Sequence, residues 1–146
     1  MAYTLLETVT VGSGGASSIE FTGIAAEAGA DLLIRLSSRS STAGNQVRVT
    51  FNSDAGNSYA TTDLYGTGSG VAGGTYSGTR LVWGLGNNTN QTANTFDNGQ
   101  LTISNYAGST YKSVSADIVS VNNATDAEQT IAAGIWNDTS AITSIQ

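Results

Sequence analysis

The sequence predicts an all-β fold: an antiparallel β-sandwich of jelly-roll type, about eight to ten short strands in one domain spanning residues 1–146. Three observations carry that expectation. Apolar residues recur at period two in most segments, while helical spacing is nearly absent. The chain has no proline, so Gly, Asn, Asp and Ser must make its turns. Its 146 residues, 39% of them hydrophobic, suffice for one buried core.

Taken in order, Leu5, Val9 and Val11 share one face, with Glu7 as the exception among them. Ile19 and Phe21 alternate with Ser18, Glu20 and Thr22. Leu32, Ile34 and Leu36 point opposite to Leu33, Arg35, Ser37 and Arg39, the clearest strand of the chain. Val47, Val49 and Phe51 then alternate with Arg48 and Thr50, and the two segments read as neighbouring core strands. Residues 52–57 form a turn, and 59–65 read as a short strand or a helical turn. Six glycines between 66 and 78 predict an insertion loop, mobile or held by a partner, because glycine loses most entropy on ordering. Residues 81–85 make a strand and 87–94 a polar loop, before Leu101 and Ile103 mark another strand. Val114, Ala116 and Ile118 share a face, and Val119 and Val121 then switch sides, which predicts a bulge or a strand end. Ile131, Ala133 and Ile135 form a strand ending at Trp136, and Ile142 and Ile145 close the chain.

Composition narrows the chemistry. Only 11% of residues are charged, against roughly 25% in ordinary soluble domains, so Ser, Thr, Asn, Gln and Gly must provide solubility. Without histidine there is no imidazole base, and without cysteine no disulfide or thiolate site. A net charge of −6 with five basic residues argues against nucleic acid as a partner. No stretch approaches the roughly 20 apolar residues of a membrane span, and the opening residues do not read as a signal peptide.

Eleven carboxylates are scattered without nominating a catalytic pair, so no enzyme, catalytic residue, metal or cofactor is expected. Residues 52–57, Asn-Ser-Asp-Ala-Gly-Asn, faintly resemble the start of a calcium loop, but an Asx/Gly turn explains them equally. Sequons at Asn87, Asn90, Asn123 and Asn137 follow from the abundance of Asn, Ser and Thr. Three sets remain as contact candidates. Arg35, Arg39 and Arg48 are expected to form a partner-docking patch on adjacent strands. Tyr65 and Tyr76, beside and within the glycine stretch, are expected as exposed contact aromatics. Trp83 and Trp136 read as core or interface.

The strings Tyr3–Val11, Ser18–Ile24 and Asp31–Arg39 resemble the opening of a family of small jelly-roll virion structural proteins of tailed bacteriophages, especially marine and cyanobacterial ones. Val49–Asp54, Leu64-Tyr65-Gly66, Ile103–Thr110 and Gly134-Ile135-Trp136 extend the likeness along nearly the whole chain. The resemblance implies a capsid decoration or cement protein, or part of a tail appendage, made in the host cytoplasm and placed on the virion exterior. Its partners would be the major capsid protein or other virion subunits, with copies forming a homo-oligomer. The alternative is a tail-fibre module that recognises host surface carbohydrate. Such proteins continue beyond the segment matching 141–145, whereas this sequence ends at Gln146. An open edge at Ile142 and Ile145, completed by another chain, is therefore expected.

Overall fold

A computed structural model describes residues 3–43, 46–123 and 127–146. Met1, Ala2 and Asp126 thus lie outside the described residues. The fold is all-β and every strand pairing is antiparallel. Eight strands follow in chain order: β1 (Leu32–Leu36), β2 (Gln46–Val49), β3 (Tyr59–Gly66), β4 (Val71–Gly78), β5 (Leu81–Leu85), β6 (Asn98–Ile103), β7 (Lys112–Val121) and β8 (Ala127–Trp136). Six form one sheet in the order β1-β6-β7-β8-β3-β4, and β2 pairs with β5 across it.

The second layer is larger than its two strands. Ile145 bridges Phe21 on one side and Phe51 on the other. Thr50 and Gln146 exchange backbone hydrogen bonds at 2.9 and 3.0 Å, and the Asn52 N–H donates to Ser144 O at 3.0 Å. Phe21 and Ile145 likewise exchange bonds at 2.8 and 2.9 Å, and the Ile24 N–H reaches Thr143 O at 3.0 Å. This corrects the expected open edge: Ile142 and Ile145 are buried, and the final segment is paired on both sides within its own chain.

The registers show what each face buries. One inner row runs Ile34, Leu101, Ala116, Ala132, Asp63, Gly74 across all six strands, and the next runs Leu32, Ile103, Val114, Gly134, Thr61, Tyr76. Each row passes from large aliphatic to small or polar side chains. Leu101, Ile103, Val114, Ala116 and Ile118 meet Leu81 and Trp83 of β5 and Phe51 in one core. Beyond β3 the second layer no longer covers the sheet, and β4 is largely exposed along its length.

Three expectations change. The glycine stretch is a β-hairpin, β3 paired with β4 over eight residue pairs, because alternate Thr and Tyr side chains give those glycines a ladder to join. Strands β1 and β2 are not neighbours, since β1 pairs β6 in the large sheet and β2 pairs β5 opposite. Of the bulge or strand end expected near Val119 and Val121, β7 shows the end, at Val121, and no register shift; the irregularity falls between Val47 and Arg48 in β2. The expected strand ending at Trp136 is present as β8, with Ile131, Ala133 and Ile135 facing outward and Thr130, Ala132, Gly134 and Trp136 facing the core.

Candidate functional site

The expected arginine patch is dissolved by the topology. Arg35 projects from β1 on the outer face of the large sheet, and Arg48 lies on the other layer, bonded through Nε and Nη2 to Gln46 Oε1. Arg39 is committed internally. Its Nη1 donates to Thr92 O at 2.7 Å and Thr95 O at 3.1 Å, and Nη2 to Gln91 O at 2.9 Å. That fork clamps the polar segment between β5 and β6, where Asp97 also accepts hydrogen bonds from the Asn87 N–H and Ser38 Oγ. Burial pushes the Asp97 carboxyl above its usual range, with the Asn87 and Ser38 donors and Arg39 opposing. Asn87 is itself fully buried, so its sequon marks a structural side chain.

Tyr65 and Tyr76 are half-buried on the inner face, not exposed. They line a cleft of about 70 Å³ with Asp63, Glu128, Thr130, Gln46 and Leu85, where β4 overhangs the second layer. Burial, then the negative charge of Asp63, raises the Tyr76 phenol above its usual pKa. The Asp63 carboxylate also takes the Gly74 N–H at 2.7 Å. This volume is about half the roughly 150 Å³ that encloses a benzene ring. A six-membered sugar ring is too large to enter it.

The segment after β2 ties the molecule shut. Asn52 Nδ2 donates to Ala141 O at 2.8 Å, and its Oδ1 accepts the Thr143 and Ser144 N–H groups at 2.8 and 3.1 Å. Asp54 accepts the Gly56 N–H at 2.7 Å and Trp136 Nε1–H at 2.7 Å. The oxygens that suggested a calcium loop therefore serve as acceptors for donors of their own chain. The Trp136 donor, then the Gly56 N–H, holds the Asp54 carboxyl below the usual carboxylate range. Because the folded pKa lies below the unfolded one, this stabilisation is present above about pH 4 and lost as pH falls through the folded value. Asp138, held down by Ser140, adds a slope of the same sign, while Asp97 contributes the opposite one. Melting curves between pH 5 and pH 2 should accordingly fall more steeply for the native chain than for Asp54→Asn, which keeps the turn but loses the charge. Equal slopes would show that Asp54 does not couple protonation to folding.

One further surface was not singled out by sequence. On the outer face of the large sheet, Arg35, Gln100, Asp117, Ile131, Leu64 and Gly73 form one cross-strand row. Leu33, Thr102, Ser115, Ala133, Thr62 and Thr75 form the next. Among the described residues, only Arg35 and Asp117 bring charge to this face, both on its β1 side. The β3–β8 side is apolar and wet: Ile131 is 54% exposed, Leu64 51% and Val71 73%. Val119 and Val121, expected to switch faces at a bulge or strand end, belong to this same outer surface by simple alternation. The available signal was parity: Trp136 and Ile135 cannot share a face, so one apolar row of β8 had to point outward. Comparison with known proteins finds no matching family model, no curated relative and no matching solved structure.

Proposed function

We propose that this chain is a non-enzymatic assembly module that packs the outer face of its large sheet against another protein subunit. The observation that carries this reading is the nearly uncharged apolar strip of Leu64, Ile131, Ile135 and Val71 in water. A monomeric domain gains nothing by exposing paired Ile and Leu on the central strands of its main sheet, and contiguous apolar surface of this kind marks docking. The resemblance to tailed-phage virion proteins supplies the setting. There the subunit opposite would be the major capsid protein or another exterior component, and the role decoration or cementing. Many symmetric copies would multiply a modest contact by avidity.

Ile131→Asp places a carboxylate in the centre of the strip while leaving the core row untouched. The variant is expected to keep the native melting temperature to within a few degrees, because surface substitutions shift stability by roughly 0.5 kcal/mol or less. It should fail to join purified particles that carry the native protein in hundreds of copies. Unchanged incorporation would overturn the reading. The tyrosines lining the cleft keep recognition of a host surface glycan as the second reading. That reading replaces the first if Ile131→Asp still assembles while Tyr65→Ala abolishes binding to host polysaccharide.

A further inference from the structure

Residues 3–11 have the sequence of a β-strand and no strand partner among the described residues of their own chain. Thr4, Thr8, Val9, Thr10 and Val11 are β-branched, and Leu5, Val9 and Val11 fall on one side of an extended backbone. The segment stands away from the body. Leu5 is 80% exposed and Tyr3 61%, and no hydrogen bond joins residues 3–11 to any described residue. A Gly-rich turn, closed by the Gly15 N–H on Gly12 O at 3.0 Å, separates it from Phe21, where pairing with the body begins. An extended chain with its backbone hydrated and its apolar side chains in water is a strand in want of a sheet.

The same molecule offers a sheet in want of a strand. Strand β4 is the edge of the large sheet and pairs only with β3 among the described strands. It is eight residues long, Val71-Ala72-Gly73-Gly74-Thr75-Tyr76-Ser77-Gly78. Proteins protect such edges with charges, prolines, bulges or brevity, and β4 has none of these. The opposite edge, β1, is five residues long and carries Arg35. The arm contributes a single charge, Glu7, and β4 none, so nothing electrostatic opposes their meeting.

We infer that residues 3–11 of one copy add to the β4 edge of a second copy, extending its large sheet by a strand. Main-chain hydrogen bonds supply the pairing, and the Leu5, Val9 and Val11 side chains extend the apolar strip that Val71, Leu64 and Ile131 begin. Each copy has one arm and one β4 edge, so reciprocal exchange closes a dimer and head-to-tail exchange closes a ring. The inference deepens the assembly reading and rests on it. It names the partner of one edge as this chain itself, while the outer face remains available to the particle.

The absence of cysteine makes the test direct, since an introduced pair is the sole source of a disulfide. A tagged full-length chain carrying Glu7→Cys or Thr8→Cys, one for each row of the arm, is mixed with an untagged chain carrying Thr75→Cys and oxidised. A mixed disulfide is expected with one of the two, at least tenfold above a control pairing with Ser113→Cys on β7. In the full chain, Val9→Pro with Thr10→Pro removes a ladder donor whichever side of the arm faces β4. It should abolish the cross-link and leave a monomer in sedimentation, with the melting temperature little changed because no hydrogen bond joins the arm to the described residues of its own fold. No mixed disulfide, or a disulfide that forms only when both cysteines are on one chain, overturns the inference. So does an oligomer that survives the prolines. A proline variant that still joins particles through Ile131 leaves the assembly reading intact and removes only the strand exchange. Loss of particle binding in Ile131→Asp with the cross-link preserved does the reverse.

Discussion

Trp136→Ala should destabilise the domain by about 3–5 kcal/mol, the range for truncating a large buried aromatic. Trp136 is 1% exposed at the end of β8, where it pairs with Tyr59 of β3 and with Lys112 of β7. Its ring meets Phe51 edge-on at a centroid distance of 5.5 Å and stacks on Tyr59 at 6.4 Å. These three rings join the large sheet to the segment that follows β2, and Tyr59 completes the joint through its hydroxyl. That hydroxyl accepts the Phe51 N–H at 2.8 Å and donates to Phe51 O at 3.3 Å, and burial pushes the phenol up to about 12. Removing the indole also removes the donor to Asp54. The half-exposed carboxylate can recover that bond from water, so the larger part of the loss is the cavity. For a chain of this size the melting temperature should fall by on the order of 10 °C. Trp136→Phe, which keeps a ring but no N–H, should cost distinctly less. A loss below about 1 kcal/mol for Trp136→Ala in urea unfolding would mean that Phe51 and Tyr59 collapse into the space and the cluster is not a joint.

How much of this was legible in sequence divides along a physical line. Strand existence was legible wherever one face is wet and polar: β1, β7 and the approach to Phe51 alternate cleanly, and Trp83, Trp136 and Phe51 are core residues. Lys112 was readable too, since it shares parity with Val114, Ala116 and Ile118. It is buried, with Nζ donating to Gly108 O at 2.7 Å and Thr110 O at 2.5 Å. Which face of β8 is buried was not legible, because both of its rows are apolar or small and alternation then carries no sign. Pairing was not legible either. Chain order suggested that Arg35 and Arg48 are neighbours, but the partner of β1 is β6, some sixty residues on, and long-range pairing leaves no local mark. The glycine stretch misled for a related reason. Glycine weakens a strand without forbidding one, and β3 supplies the ladder that orders β4. The final segment was misjudged because its edge was inferred from where the resembled proteins continue, while its actual partners, Phe21 and Phe51, lie far away in sequence and leave no local mark. Correcting that error moved the open edge from Ile145 to β4 and exposed the complementary arm at residues 3–11.

The close approach of the two layers rests on glycine, and adding one methyl group there should show it. A Cβ on Gly84 of β5 would fall inside the Ile118 side chain and 3.2 Å from Thr130 Cβ. A Cβ on Gly134 of β8 would meet Leu81 Cδ1 at 2.5 Å, so each layer offers a bare backbone to a bulky residue of the other. Gly84→Ala is therefore expected to destabilise by about 1–3 kcal/mol, the usual range for overpacking a filled core. It should do so although alanine has the smaller backbone entropy cost and would otherwise stabilise a strand. Ile118→Ala alone should cost about 2–5 kcal/mol by leaving a cavity. The decisive variant is the double one. Removing the Ile118 γ-methyl clears the space that the new Cβ needs, so the double variant should be more stable than the sum of the singles by roughly 0.5–3 kcal/mol. Strict additivity in chemical denaturation would show that Gly84 is required by its backbone geometry, not by the contact. A positive coupling would establish that β5 is held against β7 and β8 at a separation that only glycine permits. It would also explain how so short a strand as β5 covers the middle of a six-stranded sheet.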